Sequence, residues 1–177
     1  MKQIPITHFI ITGGTIDSYY KPTKDTAVPN RQSIIPDYIN GLKLYHKTRF
    51  TVACMKDSRQ LTVADQKKVL HAIEKSTSKK IIVTHGTYTM PDTARYLKAN
   101  LRRKDQTVIL TGSMIPISGF ALSDGPFSLG YAVAQSEFLP PGVYVCMNGR
   151  VFQPEEVSKV IHEGRFISIF TRDRTQG

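Results

Sequence analysis

The sequence predicts one α/β domain that spans residues 1–177. It has a mostly parallel sheet with helices on both faces. Apolar runs rich in β-forming residues alternate with runs whose apolar residues are spaced as in a helix. Two of the β-like runs, KIIVTH and TVILTG, have a continuous apolar stretch, as expected for strands buried on both faces. The 177 residues, 40% of them hydrophobic, are enough for one ordinary domain with a sizeable core.

The first strands follow from local composition. HFIIT (8–12) is apolar and ends at two glycines, and RFTVACM (49–55) is rich in β-forming residues. Between them, residues 17–38 contain several prolines and little periodicity, which predicts a long loop. A loop of this length in a compact domain is typically functional or disordered.

A helix is predicted over 62–76. Thr62 is its expected N-cap, and Asp65 occupies the acidic third position of a capping box. The apolar positions at helical spacing are Val63, Leu70 and Ile73.

The second half of the chain repeats the alternation. KIIVTH (80–85), TVILTG (107–112) and the GVYVCMN run that ends at Asn148 are predicted strands. Asp92 is the expected cap of a helix in TARYLKANLRR, and a further helix is predicted over 124–138, with Pro126 in its first turn. Beyond Gly149 the pattern loosens, and we expect a short helix in PEEVSKVIHEG followed by a last strand in RFISIF.

Composition limits the classes of function. The net charge of +10 raises the possibility of nucleic-acid binding, but the basic residues are scattered along expected helix faces, which favours a solvated surface. No apolar run approaches the roughly 18 residues of a membrane span, and the first residues lack the form of a signal peptide, so we expect a cytoplasmic protein. Cys54 and Cys146 lie in strand-like runs without metal spacing, which predicts free thiols.

The carboxyl ends of the predicted parallel strands are rich in hydroxyl groups. Ligands of such sheets bind beyond these ends, so TGGT (12–15), the serine of KDS (56–58) and GTYT (86–89) define a candidate site for a small polar ligand. Gly13-Gly14 either admits a ligand close to the backbone or forms an ordinary turn. Neither a dinucleotide fingerprint nor a phosphate loop occurs, which disfavours nucleotides.

A hydroxyl nucleophile needs a base to take its proton. His85 is one candidate, although a strand-end histidine bonded to the backbone is the favoured interpretation. Tyrosine and lysine are the other candidates, and Tyr19 and Tyr20 follow Thr15 in the expected loop. A mobile loop carrying the base would close over the substrate and exclude water.

Five segments together resemble the bacterial-type L-asparaginase/glutaminase family: TGGTID (12–17), THGTYTMPDTARYL (84–97), LTGSMIP (110–116), SDGPFSLGYAV (123–133) and MNGRVFQPEEVSKV (147–160). The resemblance covers nearly the whole chain, and its TGGTI and HGTxT motifs are highly specific. It implies the fold of the family's N-terminal domain, as in short members that lack the C-terminal domain. It also implies hydrolysis of L-asparagine to L-aspartate and ammonia through an acyl-enzyme, without metal or organic cofactor.

The resemblance also implies roles for individual residues. Thr15 would be the nucleophile, with Tyr20 (or Tyr19) assisting its deprotonation. Ser58 would hold the α-carboxylate of the substrate, and Thr87 would position water with support from Lys159. Backbone N–H groups near Gly14 and Thr87 would stabilise the oxyanion. We further expect a homo-oligomer, because family members act as dimers or tetramers, and no nucleic-acid or membrane partner.

Tyr88 departs from the family, which has an aspartate at this position. That aspartate belongs to a Thr–Asp–Lys arrangement and helps to bind the α-ammonium of the substrate, whereas a phenol with an ordinary pKa near 10 carries no charge at pH 7. Three hypotheses follow: an asparaginase with weakened activity, an amidohydrolase for another amide, or a noncatalytic relative that binds a small ligand or a partner.

Overall fold

The computed structural model describes residues 5–119 and 122–170, so both ends of the predicted domain lie outside the described residues. Ten strands and four α-helices are present in this part of the chain. In chain order they are β1 (Ile6–Gly13), β2 (Ser18–Lys21), β3 (Thr26–Pro29), α1 (Ile35–Gly41), β4 (Lys47–Lys56), α2 (Val63–Lys75), β5 (Lys80–Thr84), α3 (Met90–Asn100), β6 (Thr107–Thr111), α4 (Gly125–Phe138), β7 (Gly142–Met147), β8 (Arg150–Phe152), β9 (Val157–Val160) and β10 (Arg165–Ser168).

The centre of the fold is a six-stranded sheet in the order β4-β1-β5-β6-β7-β8. All neighbours in it are parallel except β7 and β8, which are antiparallel. The predicted mostly parallel sheet is therefore confirmed. Because the parallel strands run in one direction, the residues that follow β1, β4, β5 and β6 all lie at the same edge of the sheet.

Alternating residues of the strands build two cores. On β1, Ile10 faces α2 and α3, whereas Phe9 and Ile11 face α1 and α4. The same period of two places Ile81 and Val83 of β5 with the first core and Ile82 with the second. Both faces of the sheet are thus covered, which explains why β5 and β6 read as uninterrupted apolar runs.

The predicted helix over 62–76 is confirmed as α2. Thr62 accepts a hydrogen bond from the N–H of Asp65, and the Asp65 carboxylate accepts one from the N–H of Thr62, which completes the capping box. The predicted apolar face was partly wrong, because Val63 is exposed and Val69 takes the core position beside Ile73.

Three other local predictions were wrong. The expected loop over 17–38 contains the β2–β3 hairpin and α1. Asp92 does not cap α3: the helix begins earlier, after Thr89, and Asp92 lies in its first turn beside Arg95. The expected helix in 154–164 is instead β9, which pairs with β10 in a separate two-stranded sheet.

Candidate active site

Two glycines bring the ends of β1 and β5 into direct contact. A methyl group added to Gly14 would lie 2.3 Å from the backbone nitrogen of Gly86 and 2.4 Å from its Cα. Gly14 also has a φ of 77°, a conformation that side chains rarely adopt. Thr15 and Thr87, each one residue beyond this contact, therefore lie on neighbouring segments at the same edge of the sheet.

Ser58 packs against the same contact from the end of β4. A methyl group on Gly86 would lie 2.6 Å from the Cβ and 2.7 Å from the Oγ of Ser58. The hydroxyl of Thr89 donates to the carbonyl of Ser58 over 2.9 Å and fixes this turn. Ser58 is buried, so its position is set by packing as well as by hydrogen bonding.

The backbone N–H of Gly14 makes a hydrogen bond at the edge of the sheet. It donates to the carbonyl of Lys56 over 2.9 Å and joins the end of β1 to the end of β4. The expectation that backbone N–H groups near Gly14 face a ligand therefore does not apply to Gly14 itself. Thr15 begins a short 3₁₀ turn, Thr15–Asp17, and is partly exposed.

Lys159 contacts Thr87. Its amine donates to the Thr87 hydroxyl over 2.7 Å, across 72 residues of sequence. Burial first, and then the positive charge of Arg59, lower the pKa of Lys159, while Asp57 acts in the opposite direction. A lysine with a lowered pKa beside a buried hydroxyl is suited to proton transfer.

The β9–β10 hairpin carries Lys159 to this position. The guanidinium of Arg95, on α3, donates to the Val157 carbonyl over 2.8 Å. The N–H of Phe166 donates to the side chain of Asn148 over 2.9 Å. The hairpin is thus docked against α3 and the turn after β7, although it lies outside the main sheet.

Tyr88 is 48% exposed and lines a cavity that we call the crevice, together with Pro91, Asp92, Arg95, Val157, Ser158, Lys159 and Ile161. The Arg59 guanidinium lies over its ring, 4.9 Å from the centroid. Tyr88 and Lys159 line the same cavity of about 280 Å³. The sequence interpretation did not single out Arg59, although its place directly after Ser58 was a usable signal.

Tyr19 and Tyr20 lie on β2 of the β2–β3 hairpin that follows Thr15. The hydroxyl of Tyr20 donates to the carboxylate of Asp25 over 2.5 Å, and this bond raises the pKa of Tyr20. In this arrangement the phenol is a hydrogen-bond donor that keeps its proton. Tyr19 and Tyr20 are both about two-fifths exposed, and as successive strand residues they point to opposite faces of the hairpin.

Asp17 anchors the segment between Thr15 and α1, a role that the sequence interpretation missed. Its carboxylate is fully buried and accepts hydrogen bonds from the Asn30 side chain and from the N–H of Ile34, each over 3.0 Å. The signal available in the sequence was its position, since an acidic residue directly follows the TGGTI motif.

His85 is a structural residue, as the favoured interpretation held. It is fully buried, and its Nδ1 lies 2.7 Å from the carbonyl oxygen of Gly86. Burial lowers the pKa of His85 to about 4, although the bond to Gly86 opposes this shift. The imidazole is therefore neutral at pH 7.

Both cysteines are free thiols, as predicted. Burial raises the pKa of Cys146 to about 12 and is the main cause that raises the pKa of Cys54 to about 11, so neither is a reactive thiolate at neutral pH. In residues 5–119 and 122–170, no three His, Cys, Asp or Glu side chains are grouped so as to hold a metal ion. No helix in the same ranges is long and apolar enough to cross a membrane.

Comparison with known proteins gives a consistent result. The family described as "Asparaginase, N-terminal" matches residues 7–168. The glutaminase-asparaginase of Acinetobacter glutaminasificans is 35% identical over 117 residues, which are 63% of this chain and 34% of that protein. L-asparaginase 2 of Escherichia coli K12 is 31% identical over 168 residues, covering 88% of this chain and 47% of that protein.

Solved structures agree at the level of the fold. The crystal structure of a probable cytoplasmic L-asparaginase from Campylobacter jejuni superimposes with a TM-score of 0.76 at 22% identity, over 93% of this chain and 53% of that one. The chain thus spans about half the length of this structure. It spans about a third of the Acinetobacter protein and about half of the Escherichia coli protein.

Proposed function

The chain belongs to the asparaginase family, matching its N-terminal domain, and from this premise we propose that it hydrolyses the side-chain amide of L-asparagine through an acyl-enzyme on Thr15. Family membership supports an amidohydrolase of the asparaginase type. The observation that carries the more specific proposal is the hydrogen bond from Lys159 to Thr87, next to the glycine contact that brings Thr15 to the same edge.

In the proposed first step, the hydroxyl oxygen of Thr15 attacks the amide carbon and the C–N bond breaks. The hydroxyl proton passes to the departing nitrogen, which leaves as ammonia, and an ester remains on Thr15. The N–H groups of Thr15 and Thr87 are the proposed oxyanion donors. Loss of one such donor commonly costs about 10²–10³ in rate.

Water completes the proposed reaction. Thr87 positions a water molecule, Lys159 takes up and returns its proton, and attack on the ester releases L-aspartate and restores the Thr15 hydroxyl. Tyr20 is proposed to assist Thr15 when the hairpin closes, which requires its hydroxyl to leave Asp25. Ser58 is proposed to hold the α-carboxylate, supported by its fixed position against Gly86.

Tyr88 is expected to weaken the binding of L-asparagine. A desolvated counter-charge of the kind that an aspartate supplies is worth about 2–5 kcal/mol, and a phenol does not provide it. The lost counter-charge also supports a second candidate function, that of a noncatalytic ligand-binding protein. This function predicts binding of aspartate or asparagine without turnover. An amidase for a different small amide predicts turnover of that amide instead.

Ammonia release from L-asparagine tests the proposal. We expect measurable release by the unmodified protein and a loss of at least about 10³-fold in Thr15→Ala, because the nucleophile is gone. Thr77→Ala is the matched control, since Thr77 lies just before β5, at the opposite edge of the sheet. Undiminished release by Thr15→Ala would remove the nucleophile assignment.

We also propose that the chain forms a homo-oligomer, acts in the cytoplasm and binds no nucleic acid. Exposed aromatic side chains on α4, Phe127 and Phe138, support an apolar contact surface. Light scattering after gel filtration tests assembly, with a monomer at all concentrations as the contrary result. Retention on heparin that weakens steeply with salt would contradict the exclusion of nucleic acid.

A further inference from the structure

We infer that the crevice beside Tyr88 selects dicarboxylic monoamides that carry no protonated α-amine, such as succinamate, which is L-asparagine without its α-amino group. The inference rests on the proposed function, because it names the substrate class of the same site. It depends on three features of the crevice: its excess of positive charge, the engagement of its acidic groups, and the contact between Tyr88 and Arg59.

Positive groups dominate this end of the crevice. Lys159 and Arg95 line the cavity together with Tyr88, and Arg59 lies over the Tyr88 ring. Arg59 lies over the ring of Tyr88, and the Lys159 amine contacts the adjacent Thr87, so these two basic side chains lie beside one short segment. A substrate ammonium placed here would bring another positive charge toward the guanidinium groups of Arg59 and Arg95, which are charged whatever the protonation state of Lys159.

The nearby acidic groups already have partners. The carboxylate of Asp57 accepts a hydrogen bond from the N–H of Arg59 over 2.8 Å and caps the turn after β4. Asp92 pairs with Arg95, with 3.2 Å between oxygen and nitrogen. Asp92 already offsets Arg95, and the charge of Asp57 already acts on Lys159, so a substrate ammonium would compete with these basic side chains for either carboxylate.

Tyr88 offers a substrate ammonium no favourable interaction that would compensate for this repulsion. The face of a tyrosine ring attracts cations, but Arg59 already lies over this ring. An ammonium would have to displace the guanidinium, approach the ring edge, where the quadrupole is positive, or share the ring with a second positive charge. A CH₂ group at the α-carbon has no such requirement and can pack against the ring.

The same cations favour the carboxylate of the substrate. Arg59 follows Ser58, the proposed carboxylate-binding residue, and its guanidinium is suited to bidentate pairing with a carboxylate. The crevice thus combines attraction for the acid group of a monoamide with repulsion of an α-ammonium. Succinamate has the first group and lacks the second.

Calorimetric binding of succinate and L-aspartate tests this selection without requiring turnover, since the two product-like ligands differ only in the α-ammonium. We expect succinate to bind at least about tenfold more tightly than L-aspartate, because the crevice leaves one unit charge uncompensated. Tyr88→Asp is expected to reverse the order, and Arg59→Gln to reduce the preference. Tyr45→Asp, at a fully exposed tyrosine, and Arg102→Gln, at an exposed arginine, are the matched controls.

Binding of L-aspartate at least as tightly as succinate would overturn the inference, as would failure of both ligands to bind. A preference that Tyr88→Asp and Arg59→Gln both leave unchanged, in variants shown to be folded by circular dichroism, would also overturn it.

Ammonia release distinguishes the inference from the proposed function. If succinate binds more tightly but neither succinamate nor L-asparagine yields ammonia, the hydrolytic function fails and the selection stands. If L-asparagine is hydrolysed faster than succinamate and Thr15→Ala abolishes this, the function stands and the inference fails. Faster hydrolysis of succinamate supports both.

Discussion

The amine of Lys159 donates to the hydroxyl of Thr87 over 2.7 Å, although the residue after Thr87 is a tyrosine and not an acid. Lys159 lies on β9 of the separate two-stranded sheet, whereas Thr87 lies in the turn that follows β5 of the central sheet. Tyr88 points instead to the cavity mouth beside Arg59, so the substitution leaves the Thr87–Lys159 contact in place.

Lys159→Met should lower kcat for amide hydrolysis by about 10²–10⁴-fold, the usual range for removing a proton-transfer group. Methionine keeps the unbranched side chain and deletes only the amine. Lys98→Met is the control, because Lys98 forms an exposed ion pair with Glu155 on the surface, and such pairs contribute little. Steady-state ammonia release measures both, and equal rates in the two variants would contradict the role of Lys159.

Gly86→Ala should destabilise the fold by about 1–3 kcal/mol, because the added methyl group would lie 2.6 Å from the Cβ of Ser58. Gly130→Ala is the matched control on α4. A methyl group there meets no atom within 4 Å, and we expect a gain of about 0.4–1 kcal/mol from the lower entropy of the unfolded chain. Urea unfolding compares the free energies of unfolding, and equal effects would contradict the close packing at Gly86.

Two buried histidines should make the fold sensitive to acid. Burial, assisted by the positive charge of Arg49, lowers the pKa of His8 to about 4, and the pKa of His85 is also lowered to about 4. Between their unfolded pKa near 6.5 and about 4, the unfolded chain binds more protons than the folded one. The free energy of unfolding should therefore fall as the pH drops through this range, by up to about 1.4 kcal/mol per pH unit for each histidine.

Urea unfolding at a series of pH values measures this slope. His8→Asn keeps a polar side chain near Ser76 and Thr51, which contact His8 over 2.8 Å each, but it does not titrate. The variant should therefore show a shallower slope between pH 6.5 and 4. His71→Asn, at an exposed histidine, is the matched control for the same substitution. A slope that is the same in all three proteins would exclude His8 as the source.

Tyr20→Phe should lower kcat by about 10²-fold if Tyr20 assists Thr15, whereas Tyr19→Phe should have little effect. The two variants make the same chemical change on adjacent residues of one hairpin, so each serves as the control for the other. The pKa of Tyr20 is raised by its bond to Asp25, and Asp25→Asn should lower the pH at which this phenol ionises. The reverse kinetic order would assign the role to Tyr19.

The sequence predicted the buried strands well, because β5 and β6 are covered on both faces and their three central residues are apolar. It failed for the β2–β3 hairpin, which has exposed tyrosines and no buried face to impose alternation. It also failed at 154–164, where the glutamates and the lysine favour a helix, but Val157–Val160 forms a strand because it pairs with β10.

The candidate site was predictable to the extent that it follows strand ends. Thr15, Ser58 and Thr87 could be placed at one edge from the rule for parallel sheets alone. The contact of Lys159 with Thr87 could not, because it depends on where a separate hairpin docks. The pairing of Arg59 with Tyr88 is likewise a tertiary contact with no signal in local periodicity.

Lys159 lies on the β9–β10 hairpin, and Thr87 follows β5 of the central sheet. Their hydrogen bond therefore forms only when the hairpin is docked against the sheet domain. Undocking of the hairpin would separate amine from hydroxyl while the six-stranded sheet stayed intact. Amide protons of β9 and β10 should then exchange with solvent through openings of lower free energy than those of β5, and a substitution at Asn148, which holds the hairpin but does not line the cavity, should alter turnover from a distance.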